Sequence, residues 1–270
     1  MKKGYILFLT VVLAMFYSCT KNIKSPDQEY KLWYKQAAEE WVEALPVGNG
    51  RLGAMVFGNP FTERIQFNEE SLWAGCKTDN NNAESLARLK QIQNLIFNGE
   101  YKKAGEMASD YMVGTPPRIR SYQTFGDLML NFKWKGEAQN YKRELDLRSG
   151  IASTEYEIGE NSIKQEVFVS APRDLIVIRV SASSPVNVDV TLERKKDAEI
   201  RVEQGGRIIM TGQIIDKEKP GSGPAGAHMK FSALARVKSE GGTQDKINNG
   251  ISCDKVRTIT IYLTAATNYN

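Results

Sequence analysis

A mostly β fold, arranged as a large two-sheet antiparallel β-sandwich with an inserted αα-hairpin, is what this 270-residue sequence predicts. Two observations carry the reading. From Asp127 onward, apolar residues recur at every second position in short runs bounded by Gly, Pro, Asn and Ser turns, and no helical repeat comes between the runs. Ahead of them a single segment, residues 83–111, switches to helical spacing.

In chain order, the first element is not part of that fold. Met1-Lys2-Lys3 is basic, the apolar run 5–17 is too short to span a bilayer, and Ser18-Cys19 follows. Residues 1–18 therefore read as an export signal. The Ser18-Cys19 junction resembles a bacterial lipoprotein lipobox, with Phe16 and Tyr17 less typical than Leu and Ala, which makes Cys19 the lipidated residue. Simple secretion without a lipid is the alternative. Residues 19–30, polar and Pro-containing, read as a tether, and residues 31–270 as the domain.

Gly48-Asn49-Gly50 predicts a turn into an apolar strand over 51–57, Gly58-Asn59-Pro60 the next turn, and residues 64–68 the antiparallel return. Gly48, Gly50 and Gly53 match the dinucleotide fingerprint in letters only, because they lead into a strand where the fingerprint requires a helix. Asn82 precedes a helix over 83–97, with Leu86, Leu89, Ile92, Leu95 and Ile96 on one face and Asn98-Gly99 as its stop. Tyr101, Ala104, Ala108 and Tyr111 mark a second, shorter helix. Strands are then expected around 128–132, 163–169, 176–180, 186–192, 208–210, 231–237 and 259–263, with Ser184-Pro185 read as a turn between two of them. Residues 217–227 are rich in Gly and Pro and read as a solvated connection; His228 beside them, with no adjacent acid or nucleophile, reads as structural or exposed.

Composition narrows the function classes. The formal net charge of +4 falls to about +2 once Lys2 and Lys3 leave with the signal, too little to imply a nucleic-acid partner. Cys76 and Cys253 are candidate disulfide partners in an exported chain, with buried free thiols as the alternative. One His and no CxxC argue against a protein-made zinc site, and no cofactor is expected.

The block from Pro46 to Gly75, PVGNGRLGAMVFGNPFTERIQFNEESLWAG, resembles the N-terminal domain of glycoside hydrolase family 95, the inverting α-L-fucosidases and their α-L-galactosidase relatives. Its most specific part is NEESLW, Asn68 to Trp73, and YQTFGDL, YKRELDL and EVFVSAPR follow in the right order. The resemblance implies a β-domain ahead of a helical (α/α)6 barrel that carries the acid and the base, so no catalytic residue is carried over to this chain. It implies a truncated or split form without the barrel, with that barrel and a fucosylated glycan as partners. The lipid anchor adds the bacterial outer membrane, and the lack of a dense acidic run after Cys19 favours its periplasmic face. An α-L-galactosidase and a non-catalytic glycan-binding lipoprotein are the alternatives.

Within the block, Asn68, Glu69 and Trp73, together with Tyr122, make the candidate substrate-binding or interdomain loop. An aromatic plate beside amide and acid groups suits a sugar, which offers one apolar face and many hydroxyls. A core or interdomain role for Trp73 is the competing reading. Glu69 and Glu70, being adjacent, point to different sides of an extended segment and do not form an acid/base couple.

Overall fold

The computed structural model describes residues 30–269; the expected export signal, Cys19 and the expected tether up to residue 29 lie outside them. The strands are β1 (Lys31–Tyr34), β2 (Leu45–Gly48), β3 (Leu52–Val56), β4 (Thr62–Glu69), β5 (Gly126–Phe132), β6 (Ala138–Asp146) and β7 (Ile151–Ile158). They continue with β8 (Asn161–Ser170), β9 (Leu175–Glu193), β10 (Ala198–Glu203), β11 (Arg207–Asp216), β12 (Gly226–Glu240), β13 (Thr243–Ile247) and β14 (Gly250–Thr267). Helices α1 (Ser85–Phe97) and α2 (Tyr101–Tyr111) are inserted between β4 and β5. All pairings are antiparallel, and the fold is mostly β, as the alternating runs predict.

Two layers share two strands. One runs β1-β6-β7-β8, continues through the first half of β9 and the second half of β14, and ends β12-β11-β10. The other runs β2-β3-β4-β5 into the second half of β9 and the first half of β14, with β13 outside. β2 and β3 lie over β7 and β8. The interior between the layers is filled by alternate side chains such as Ile65 and Phe67 of β4, both fully buried. Phe67 stacks on Phe125 with centroids 5.5 Å apart, and Phe125 meets Phe231 edge-on at 5.3 Å.

One sequence reading needs correction here. Ser184-Pro185 does not separate two strands: β9 runs unbroken from Leu175 to Glu193. Proline is tolerated because the ladder is already interrupted there. The register between β9 and β14 slips on both sides of the Val186–Val256 pair, and Lys255 sits at φ 54, its N–H held by Asn187 Oδ1 at 2.8 Å. The bend carries the strand from one layer into the other.

The helical hairpin forms where its spacing predicts, with α1 starting at Ser85 after an Asn82 turn and stopping at Asn98 and Gly99, whose φ is +75. Its apolar stripe is mostly uncovered. Ile92 and Ala104 are buried, whereas Leu86, Phe97 and Tyr101 are 82%, 83% and 71% exposed.

The candidate disulfide is not formed: Cys76 and Cys253 are both free thiols. Cys253 lies on β14 within the core, wholly out of solvent, while Cys76 is exposed in the loop after Trp73, so the two sulfurs occupy separate environments. Burial pushes the Cys253 thiol up to about 11, which keeps it protonated and unreactive.

Where β4 begins, Glu63 is enclosed. Its carboxylate accepts the Phe57 N–H at 3.2 Å, yet loss of hydration dominates and raises its pKa to about 8. Tyr141 and Tyr156 hold the Gly58 and Pro60 carbonyls above it, at 2.6 and 3.2 Å. Arg143, 2% exposed, donates to the Gln36 and Glu43 carbonyls at 2.7 Å each and lies beneath the Tyr34 ring.

Candidate functional site

The other end of β4 opens onto a cleft of about 1210 Å³. Its walls come from the loop after β4, the segment 116–120 ahead of β5, the β11–β12 connection and the residues after β14. The sequence dictates this placement in steps. Asn49 takes up the turn before β3 by accepting the Arg51 and Leu52 N–H groups at 3.0 and 2.8 Å, and it donates to Asp174 at 2.9 Å. Arg51 is thereby aimed at three acceptors: Asp174 at 2.5 Å, the Ala265 carbonyl at 2.9 Å and Glu69 at 3.3 Å. The Asp174 carboxyl is held below its usual range, chiefly by the Asn49 hydrogen bond and then by Arg51.

Glu69 is 4% exposed and wholly engaged: Oε2 accepts the Ser71 N–H at 3.0 Å and the Ser71 hydroxyl at 2.7 Å. Ser71 Oγ in turn lies 2.6 Å from Thr267 Oγ1, tying the loop to the end of β14. Asn68 accepts the Phe125 N–H at 3.1 Å. Both residues therefore hold the loop in shape, and both Glu69 carboxylate oxygens are already engaged.

Trp73 and Tyr122 come together across a β-bridge, with rings 5.2 Å apart and tilted by 56°. Trp73 Nε1 donates to the Glu70 carbonyl at 3.2 Å, and the Tyr122 hydroxyl to the Glu69 carbonyl at 3.1 Å. Partial burial raises the Tyr122 phenol above its ordinary pKa, so it stays a donor at neutral pH. With their polar edges satisfied, the rings remain 40% and 38% exposed, and Trp73 lines the cleft. Of the four residues singled out from the sequence, the structure gathers all at one end of β4 and leaves the two aromatics available for contact.

Arg120 and Arg194 escaped the sequence reading, which gave His228 only a structural or exposed place. Arg120, 7% exposed, ties the cleft's two loops together by donating to the Lys217 and Gly223 carbonyls, each at 2.8 Å; Asp216 lies 3.7 Å away. Arg194 spans the Thr124 and Phe125 carbonyls and lies over the Phe231 ring at 4.6 Å. His228 is buried at the cleft wall, and neither ring nitrogen has a hydrogen-bond partner among the described residues. The connection 217–227 is correspondingly more than a solvated link: Ser222 is 4% exposed, and β12 begins at Gly226. Among the described residues Glu70 is the one carboxylate in the lining, and no group of His, Cys, Asp and Glu could hold a metal ion.

The described residues thus form a two-layer antiparallel β-domain with an aromatic-walled cleft at the strand ends. Comparison with known proteins makes this specific. The family model described as "Glycosyl hydrolase family 65, N-terminal domain" matches residues 32–270, and the chain belongs to that family. The chain is 26% identical over 304 aligned residues to "Alpha-L-fucosidase 2" of Arabidopsis thaliana, an alignment covering 98% of the chain and 35% of that protein. It is also 32% identical over 148 residues to "Probable alpha-fucosidase A" of Aspergillus niger, covering 52% of the chain and 18% of that relative. The expected glycoside hydrolase N-terminal domain is thus what the chain is, with family 95-type fucosidases among its relatives. It spans about a third of the length of the Arabidopsis protein.

Proposed function

We propose that this chain is the N-terminal β-domain of an α-L-fucosidase-like glycoside hydrolase acting on fucosylated glycans. The observation that carries the reading is the similarity to Alpha-L-fucosidase 2 along 98% of the chain. Inverting hydrolysis needs an acid and a base on opposite faces of the scissile bond, separated by roughly 6.5–9.5 Å. The cleft presents Glu70 alone. The chemistry therefore belongs to a helical-barrel domain, and this domain packs on it and contributes the Trp73–Tyr122 pair to its mouth. The uncovered apolar stripe of the α-hairpin supports such packing, since exposed apolar patches mark contact surfaces.

Lipidation at Cys19 and attachment to the periplasmic face of the outer membrane complete the reading; Cys19→Ala should release the protein from the membrane fraction or leave it unprocessed. A second reading, a glycan-binding lipoprotein without catalysis, is favoured by the exposed Trp73 plate. Assay of an aryl α-L-fucoside with the chain alone and with the helical-barrel domain separates the possibilities. Hydrolysis is expected only when both are present. Turnover by the purified chain alone, or none by the pair, would count against the proposal.

A further inference from the structure

We infer that the cleft behind Trp73 is a binding site, built within this domain, for a pyranose carrying a carboxylate. This goes beyond the fucosidase reading and does not rest on it. The first observation is a pair of buried groups with unmet capacity. Both ring nitrogens of His228 and the Nε–H of Arg120 lack partners among the described residues, although each side chain is more than nine-tenths buried. Buried polar atoms in a folded protein are almost always paired, and these two side chains stand in the wall of the cleft.

The second observation is the balance of the lining. Lys77 and Arg118 stand exposed in the cleft wall with no ion pair among the described residues. Against these two cations stands one carboxylate among the described residues, Glu70. A lining with more cations than carboxylates is complementary to an anionic group, and a carboxylate accepts charge-assisted hydrogen bonds from lysine and arginine. The third observation sets the rest of the ligand: Trp73, 40% exposed with its indole N–H already used, offers its face to the apolar side of a sugar ring. The cleft, at about 1210 Å³, has room for a ring and its substituent.

The test is titration calorimetry of the full chain with methyl glycosides of glucuronic and galacturonic acid, their neutral parents, and inorganic sulfate. At least one acidic glycoside should bind saturably and about tenfold more tightly than its neutral parent, the usual scale for a charge-assisted hydrogen bond. Arg118→Met should remove that preference, and Trp73→Ala should weaken acidic and neutral sugars alike. Arg118 and Trp73 are both exposed, and melting temperatures check that the fold survives. Four outcomes overturn the inference: no binding of either acid, equal affinity for acid and parent, affinity indifferent to both variants, or sulfate bound as tightly as the acidic glycosides.

Discussion

The two ends of β4 bury a carboxylate each, about 20 Å apart along the strand, and treat it in opposite ways. Glu63 is enclosed by backbone and tyrosines, with its pKa raised by burial; Glu69 is met by a guanidinium and a hydroxyl, and the guanidinium is shared with Asp174. Around Glu63 the arginine, tyrosines and carbonyls turn inward and tie the Gly58–Pro60 turn and residues 36–43 to the sheet. Around Glu69 the same kinds of group form a collar whose inner side faces a cleft. Buried polarity thus serves closure at one end and display at the other, and what separates the two is whether unpaired groups line an opening.

The comparison can be broken most forcefully at the closed end. Arg143→Ala strands two carbonyls and removes two charge-assisted hydrogen bonds, so a loss on the order of 4 kcal/mol is expected in urea unfolding. A loss under about 1 kcal/mol would show that this arginine does not hold the closure.

Glu63 gives the next effect through pH. Its proton is held in the folded state to about pH 8 and released at about 4.5 in the unfolded chain. Its stabilising contribution is therefore complete below about 4.5, declines as pH rises, and is lost through about 8. Stability should fall by up to about 1.4 kcal/mol per pH unit across that window in the native protein, and Glu63→Gln should flatten the curve. Unfolding midpoints at a series of pH values read this directly; identical slopes for the two proteins would remove the neutral carboxyl from the account.

At the open end the effects are smaller. Arg51→Met leaves Glu69 buried with Ser71 as its remaining hydrogen-bond partner and should cost about 2 kcal/mol, measurable by the same unfolding. Trp73→Ala should cost no more than about 1 kcal/mol, because the ring is partly exposed and loses chiefly its contact with Tyr122. A larger drop would recast Trp73 as a core residue and weaken its assignment to the cleft.

How much of this was legible in the sequence depended on range. Where one segment carries its own signal, the reading held: β3 and β4 around the Gly58 turn, the α-hairpin with its Asn98-Gly99 stop, and β5 and β8 from strict alternation. β7 went unread because two of its inward positions, Ala152 and Thr154, are small or polar, so the alternation that defines the strand is faint. β9 was divided because a proline signals a turn locally, whereas the slip that accommodates it belongs to β14. The site behaved likewise. NEESLW is one stretch and could be seen; Arg120 and Lys217 are far apart in sequence, and His228 acquires meaning only against the loops that cover it.

The two bent strands shared by the layers set the order in which this domain can be made. β9 closes onto β5 across a long intervening stretch that contains β6, β7 and β8, and neither layer is complete until β14 has joined β9. Such distant pairings must wait for costly loop closures, which places folding in the slow, millisecond-to-second regime of non-local β topologies. A chain that cannot lock until β14 has been made leaves both layers open through most of its synthesis.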